Sequence, residues 1–247
     1  DYARFRGRCT QRPAESQLAS EPSWGWWTRL APYDLDWEAE LSRYQSPQLQ
    51  IEQASAAGQW RVPQLTLQKL QASLYRGRLE ATAGLRVDTR TVEAQAKMDL
   101  DLQQIAPLLG TNTQRWLSQF SWESPPKIDA RAVLVLPAWT NAHPNWRQDI
   151  WPTGIVEGNF AGTNGAFREV QVATASSHFS FTNLIWHLPD LVIRRPEGQL
   201  QLAYTGDTRT REYHFAIDSS LDLKVLKPVL DKGPQKALDY FQFSGPP

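Results

Sequence analysis

The stretch "VEAQAKMDLDLQQIAPLLG", from Val92 to Gly110, begins with the most regular alternation of apolar and polar residues in the chain and then abandons it. Because successive side chains of a strand point to opposite faces, the first half predicts a strand with one apolar face. The apolar positions are Val92, Ala94, Ala96, Met98 and Leu100. The second half changes to helix-like spacing, which predicts a short helical segment after the strand.

The sequence on either side of this stretch extends the same pattern. "RLEATAGLRVD" (78–88) has apolar residues at Leu79, Ala81, Ala83, Leu85 and Val87. The polar "DTRT" (88–91) is typical of a turn, so the two strands predict an antiparallel hairpin with one apolar face. Near the end of the chain, "REYHFAIDSSLDL" (211–223) repeats the alternation with Tyr213, Phe215 and Ile217.

Further strands are predicted in the second half of the chain, at "KIDARAVLVLP", "GIVEGNFAG", "REVQVATA" and "HFSFTNLIW". The Gly-rich "GNFAGTNG" (158–165) lacks the Lys-Ser/Thr of a phosphate-binding loop and predicts a hairpin turn. Helical signals are confined to residues 102–120 and 223–241, with Asp101 and Asp222 as expected N-caps. "SQLASEPSWGWW" (16–27) predicts a loop or a strand entry.

The two helical regions align without a gap, as "LDLQQIAPLLGTNTQRWLSQFSWESPP" (100–126) over "LDLKVLKPVLDKGPQKALDYFQFSGPP" (221–247). Upstream, "DTRT" recurs at 207–210, "YRGRLEA" matches "PEGQLQL" with Leu79 over Leu200, and the Trp-x-apolar-Pro strand "WRVPQLTL" matches "WHLPDLVI". The chain therefore predicts two tandem β units, 1–126 with a helical cap at 102–120 and 127–247 with a cap at 223–241. We expect both to be one continuous fragment of a longer protein.

Composition and motifs exclude several classes of function. Lys+Arg and Asp+Glu are 26 each, so the basic excess of a nucleic-acid-binding protein is absent. Cys9 is the only cysteine, no histidine has a second ligand at metal-binding spacing, and no G-x-S-x-G motif occurs. We therefore expect no catalytic residues, no cofactor and no metal site. Eleven tryptophans indicate large packed surfaces, and "WGWW" (24–27) is interpreted as packing more readily than as a membrane or carbohydrate contact.

The chain resembles the AsmA-like family of bacterial envelope proteins, including its TamB and YhdP branches. The residues that carry the resemblance are "LQKLQASLYRGRLEATAGLRVD" (67–88), "VEAQAKMDLDLQQIAPLLG" (92–110), "IWHLPDLVIRRPEGQLQL" (185–202) and "LDLKVLKPVLD" (221–231). The family's double glycine is reduced here to Arg76-Gly77 and Glu197-Gly198. These motifs are structural patterns without catalytic residues.

The resemblance implies a mainly β protein with short helices, built as an elongated, taco-like antiparallel sheet with an apolar groove. It also implies an inner-membrane-anchored periplasmic parent that conducts phospholipid or another envelope lipid toward the outer membrane. The groove-lining residues would be Leu79, Ala81, Ala83, Leu85, Val92, Ala94, Ala96, Met98, Leu200, Tyr213, Phe215 and Ile217.

Two alternative functions stay open from the sequence. The first is a non-catalytic scaffold or outer-membrane assembly factor, in which the apolar faces form a closed core. The second is a carbohydrate-binding β-sandwich that uses its tryptophans. An open groove would favour lipid transfer over the scaffold, whereas a ring of exposed tryptophans on one face would favour carbohydrate.

Overall fold

A computed structural model of the chain describes residues 2–13, 22–46, 49–221, 225, 227–229 and 235. Within them, thirteen strands form one long antiparallel sheet that does not close. The strands are β1 Tyr2–Gln11, β2 Tyr33–Gln45, β3 Gln50–Arg61, β4 Gln64–Leu74, β5 Gly77–Arg86, β6 Thr91–Met98, β7 Phe120–Trp122, β8 Lys127–Val135, β9 Ile155–Phe167, β10 Val170–Thr182, β11 Ile185–Arg195, β12 Gly198–Asp207 and β13 Glu212–Ser219. The prediction of a mainly β fold with short helices is confirmed.

The order of the strands in the sheet follows the chain, from β1 to β6, then β8 to β13, while the short β7 pairs with β9. Tight turns join many consecutive strands, and several contain residues with positive φ, including Tyr75 and Arg76 between β4 and β5. Such left-handed pairs match the twist of the flanking strands, which explains why they recur in the hairpins of this fold.

The chain divides into two compact units. The first unit comprises Asp1–Met98, Asp129–Glu157 and Phe181–Leu184, and the second comprises Asp99–Ile128, Gly158–Ser180 and Ile185–Pro247. These units interleave along the sequence, because residues 129–157 return to the first unit after the helices. The repeat boundary between residues 126 and 127 stays a prediction.

The core of the first unit lies at the end of the sheet where β3 finishes and β4 starts. Its buried members are Trp24, Trp27, Ala31, Trp60, Val62 and Val87. Trp60 is 1% exposed and its indole Nε1 donates to the Leu30 carbonyl oxygen (2.9 Å). The Trp139 indole donates in the same way to the Val87 carbonyl oxygen (2.9 Å), so both of these indole N–H groups have a partner in the core.

The second unit contains the predicted helical cap of the first repeat. Helices α1 (Leu102–Ile105) and α2 (Thr111–Leu117) flank a 3₁₀ turn at Ala106–Leu108. The Asp101 carboxylate accepts a hydrogen bond from the Gln103 backbone N–H (3.1 Å), which confirms the expected N-cap. Phe120 packs between Trp116 and Phe167, with both ring-centroid distances at 4.7 Å. The matching helical prediction at 223–241 and the Asp222 cap lie outside the described residues, apart from a 3₁₀ turn at Lys227–Val229.

The confinement of helices to two regions is wrong. Pro22–Arg29 forms a 3₁₀-helical segment with a kink at Gly25, where a loop or strand entry was expected. Trp146–Ile150 and Trp151–Thr153 form a π turn and a 3₁₀ turn. Short helical segments of this kind are set by local hydrogen bonds and are too short to show an apolar period, so patterning misses them.

One predicted turn and one predicted strand are also wrong. The Gly-rich 158–165 lies inside β9, and the turn comes later, at Arg168 and Glu169 with φ of 45° and 72°. A Cβ on Gly165 would lie 3.0 Å from the Ser121 carbonyl oxygen, so this glycine serves the close approach of β7. "HFSFTNLIW" is not one strand, because Asn183 and Leu184 turn the chain between β10 and β11.

The matched Trp-x-apolar-Pro motifs take two different structures. In the first half, β3 ends at Arg61 and a turn through Val62 and Pro63 leads into β4. In the second half, Trp186 to Pro189 lies within β11, where the pairing with β12 shifts register between Leu188 and Leu191. The expectation that this motif is a strand in both copies is therefore wrong for the first copy.

Candidate functional site

The antiparallel register of β1 to β6 builds a continuous apolar face in the first unit. Directly paired residues lie on the same face of a sheet, so the register aligns side chains from all six strands. Row 1 contains Cys9, Leu35, Trp60, Leu65, Leu85 and Val92; row 2 contains Gly7, Trp37, Gly58, Leu67, Ala83 and Ala94; row 3 contains Phe5, Ala39, Ala56, Leu70, Ala81 and Ala96; row 4 contains Ala3, Leu41, Ala54, Ala72, Leu79 and Met98. These four rows are called the apolar face below.

No position in these four rows carries a charged or hydrogen-bonding amide side chain. The opposite face carries the intervening polar residues and short cross-strand ion pairs. Lys97 Nζ lies 3.2 Å from Asp129, and Arg131 lies 3.4 Å from Glu93. These side chains are substantially exposed, so each ion pair contributes little to stability. The register therefore separates an apolar from a hydrated face across the whole of β1 to β6.

Most residues of the apolar face are half-buried, and few are fully buried. On β2 to β6, only Gly58 and Trp60 of the four rows are buried, while all four residues contributed by β1 are exposed. Phe5 in particular is 71% exposed. A residue inside a two-layer β core would be covered by side chains of the second layer. The exposure pattern therefore describes an apolar face that, within the described residues, is exposed on β1 and only partly covered on β2 to β6.

Row 1 differs on β2 to β5, because the core of the first unit packs against its residues there. The Trp27 indole stacks on Trp60 with ring centroids 5.3 Å apart and meets Trp139 edge-on at 5.7 Å. Leu35, Leu65 and Leu85 of row 1 pack against this cluster. Trp24 and Trp27 are only 7% and 6% exposed, so the interpretation of "WGWW" as packing is confirmed for these two indoles. Trp26 stacks on Trp27 at 4.2 Å and remains 58% exposed.

The eight predicted lining residues of the first unit come together as neighbours across one hairpin. Leu79 pairs with Met98, Ala81 with Ala96, Ala83 with Ala94, and Leu85 with Val92. Each of the eight side chains is half-buried. They form the β5–β6 third of the apolar face.

The four predicted lining residues of the second unit share one face of the β12–β13 hairpin. Leu202 pairs with Ile217, Tyr204 with Phe215, and Gly206 with Tyr213, so Leu200 lies on that same face. Leu200 is 9% exposed, whereas Tyr213, Phe215 and Ile217 are 55%, 60% and 63% exposed. Burial raises the pKa of the Tyr204 phenol above its ordinary value, and the neighbouring Tyr213 raises it further.

Sequence reasoning missed the two thirds of the apolar face that β1 to β4 contribute. The residues contributed by β2, Leu35, Trp37, Ala39 and Leu41, alternate as clearly as those of β6 and could have been found by the same signal. On β4 the signal is hidden, because register shifts between Leu67 and Leu70 interrupt the alternation. An extra residue in one strand moves all later side chains to the other face unless the partner compensates.

A cluster of Ser177, His178 and Asp190 combines the residue types of a hydrolase without the geometry. The Ser177 hydroxyl lies 2.6 Å from the His178 carbonyl oxygen and 3.2 Å from Asp190, and the imidazole Nδ1 lies 2.6 Å from Asp190 Oδ2. A nucleophilic serine would hydrogen-bond the ring nitrogen that faces away from the carboxylate. In this cluster the serine hydroxyl instead bonds the backbone and the carboxylate, so it is a cross-strand structural contact.

Metal and membrane-span signals are also absent from the described part of the chain. No group of three or more His, Cys, Asp or Glu side chains there could hold a metal ion. No helix there has both the length and the apolar character needed to cross a membrane. The apolar face is thus the feature of the described residues that a function has to explain.

The part of the chain that matches a known protein family contains most of the apolar face. Residues 6–115 match the model of the AsmA family, and this range contains all of β2 to β6 and both first-half motifs. The second-half motifs at 185–202 and 221–231 lie outside the matched range, so the resemblance there stays a prediction. Neither a curated protein nor a solved structure matches the chain. Residues 6–115, fewer than half of the chain, are therefore similar to the AsmA family.

Proposed function

We propose that this chain is a lipid-binding segment of a bacterial envelope protein, and that its apolar face holds the acyl chains of phospholipid or a related envelope lipid. The observation that carries the proposal is the set of four apolar rows across six strands, of which rows 2 to 4 are exposed on β1 and only partly covered on β2 to β6. Each methylene group removed from water contributes about 0.8 kcal/mol. Non-directional contacts of this kind hold a chain without a specific pocket.

The similarity of residues 6–115 to the AsmA family supports the wider part of the proposal. In this wider proposal, the parent protein is anchored in the inner membrane, extends through the periplasm, and conducts lipid between the inner and outer membranes. The role involves no catalysis, no cofactor and no nucleic acid. The proposed lining in the first unit is the set of eight residues on the β5–β6 hairpin. The proposed lining in the second unit, taken by itself, is Leu200, Tyr213, Phe215 and Ile217.

The two alternative functions predict different exposures. A scaffold with a closed core would bury the alanines of rows 3 and 4, whereas Ala56, Ala81 and Ala96 are half-buried. A carbohydrate-binding face would present exposed tryptophans on the sheet. The four tryptophans in the described strands are half-buried or buried, namely Trp37, Trp60, Trp122 and Trp186. The exposed Trp26, Trp116, Trp146 and Trp151 lie in helical segments, so no described strand presents an exposed tryptophan for carbohydrate.

The test is native mass spectrometry with lipid extraction of the chain purified from an envelope fraction. We expect phospholipid to co-purify with the wild-type chain and to be lost from Ala96→Asp, because a carboxylate on the apolar face must be dehydrated by a bound acyl chain. Gln95→Asp is the matched control, since Gln95 is the neighbouring residue on the polar face. It should keep its lipid.

Circular dichroism of both variants checks that the fold is intact. A folded wild-type chain that carries no lipid would overturn the proposal and favour the scaffold function. Equal loss of lipid from Ala96→Asp and Gln95→Asp would show that added charge, and not the apolar face, controls binding.

A further inference from the structure

Trp37 occupies an unusual place on the apolar face. It lies in row 2 on β2, and both of its paired neighbours, Gly7 on β1 and Gly58 on β3, are glycines. Aside from Phe5 on the first strand and Trp60 under the tryptophan core, it is the only aromatic residue of the four rows. A large ring between two glycines has room to pack flat against the backbone of the sheet.

The geometry around Gly58 shows where the ring goes. A Cβ added to Gly58 would lie 2.5 Å from Cζ2 and 2.7 Å from Cε2 of the Trp37 indole. The indole therefore rests directly on the backbone of β3, in the space that any other residue at position 58 would fill. Covering a strand glycine with an aromatic ring from the neighbouring strand compensates for the missing side chain.

The ring lies between row 1 and rows 3 and 4, on the β2–β3 part of the apolar face. On one side, the row 1 residues of β2 to β5 belong to the tryptophan core or pack against it. Rows 3 and 4, on the other side, contain six alanines on β2 to β6, namely Ala39, Ala54, Ala56, Ala72, Ala81 and Ala96. Trp37 itself is half-buried, so part of its indole is open to a ligand.

We propose that Trp37 sets the boundary of the lipid-accessible surface in the first unit: acyl chains lie over rows 3 and 4 and end against the Trp37 indole. This inference rests on the proposed lipid-binding function and makes Trp37 a specificity-determining contact. The ligand group is an alkyl chain, for which a large apolar ring on a rigid strand is a well-matched stop. The small alanine side chains leave the space that the chain fills.

Quenching of tryptophan emission by a phosphatidylglycerol with brominated acyl chains tests the boundary, with the same lipid without bromine as reference. Bromine quenches only indoles close to the chain. We expect Trp37→Phe to lose most of the bromine-dependent quenching while still carrying lipid by native mass spectrometry. Trp26→Phe is the matched control, because Trp26 is exposed and stacks on Trp27. It should keep the quenching of the wild-type chain.

A second variant tests the role in specificity. Trp37→Ala removes the stop, so we expect the ratio of bound long-chain to short-chain phosphatidylglycerol to rise relative to the wild-type chain. Unchanged quenching in Trp37→Phe, or an unchanged ratio in a folded Trp37→Ala that binds lipid, would overturn the inference. Absence of bound lipid from the wild-type chain would instead overturn the proposed function, so the two failures are distinguishable.

Discussion

The two segments that the predicted repeat aligns, residues 60–98 and 186–219, agree in one half and differ in the other. Both contain a hairpin whose first strand starts at a glycine, Gly77 or Gly198, and whose turn is Asp-Thr-Arg-Thr. Both hairpins collect their alternating apolar residues on one face. Local pattern and turn chemistry therefore produce the same hairpin twice.

The segments differ in what surrounds those hairpins. β6 lies between β5 and β8, and its alternating residues are half-buried, whereas β13 ends the described sheet and Tyr213, Phe215 and Ile217 are more than half exposed. Trp60 is 1% exposed beneath the tryptophan core, whereas its counterpart Trp186 is half-buried in β11. Alternation therefore decides the face on which a side chain lies, while neighbouring elements decide its burial.

Removing the two matched tryptophans should show the largest contrast. Trp60→Ala leaves a cavity in a packed core and removes the indole hydrogen bond to Leu30, so we expect the free energy of unfolding to fall by about 3–5 kcal/mol. Trp186→Ala should cost clearly less, because less of that side chain is buried. Urea unfolding followed by circular dichroism measures both. Equal losses would contradict the difference in burial that separates the two segments.

Replacing two strand glycines by alanine, Gly58 in β3 and Gly206 in β12, should give a smaller difference in the free energy of unfolding. A Cβ on Gly58 would lie 2.5 Å from the Thr66 carbonyl oxygen as well as from Trp37, and this backbone cannot move without breaking the β3–β4 pairing. We expect Gly58→Ala to lower the free energy of unfolding by about 1–3 kcal/mol. At Gly206 the nearest obstacle is the hydroxyl end of the Tyr204 side chain, which can rotate away, so Gly206→Ala should cost less.

Gly84→Ala is the control for both glycines. Gly84 lies in β5, and a Cβ there would meet only the Gln64 side-chain amide at 3.7 Å. The same urea unfolding experiment should find this variant close to the wild-type chain or more stable, because alanine restricts the unfolded chain more than glycine does. A loss as large as that of Gly58→Ala would mean that strand glycines matter here for a reason other than close contact.

The difference between local pattern and neighbouring elements also explains which parts of the fold could be predicted from the sequence. The β5–β6 hairpin, its apolar face and the Asp101 cap were predictable, because period-two patterning, turn residues and capping residues are local signals. The register shift at Ala57 and Gly58 and the turn at Val62 and Pro63 were not. Both depend on how β3 pairs with β4, for which composition gives no sign.

The candidate site was predictable only in part for the same reason. Patterning identified the β5–β6 side of the apolar face, but the cover over row 1 comes from a short 3₁₀ segment and from Trp139, which is far away in sequence. The seat of Trp37 on Gly58 requires knowledge of which residues pair across strands. Long-range pairing of this kind is carried by the fold as a whole and leaves no local trace.

The smallest expected contrast concerns the residue that follows the matched prolines, Gln64 in the first segment and Asp190 in the second. The Asp190 carboxylate bonds the His178 imidazole (2.6 Å) and accepts from the His178 backbone N–H (2.8 Å), and these bonds lower its pKa below the ordinary value. Because the pKa is lower in the folded state, the stabilisation is present above the unfolded pKa and is lost as pH falls through the folded pKa.

Asp190→Asn should therefore be less stable than the wild-type chain at neutral pH, with a gap that closes in strongly acidic solution. The effect is small, because the His178 and Asp190 side chains are 71% and 50% exposed and solvent screens their interaction. Urea unfolding at pH values from neutral to strongly acidic measures the difference in the free energy of unfolding between the variant and the wild-type chain. Asp218→Asn is the control, because Asp218 is an exposed carboxylate on β13. A gap for Asp190→Asn that persists undiminished at the acidic end would mean that the asparagine acts on packing and not through the charge of Asp190.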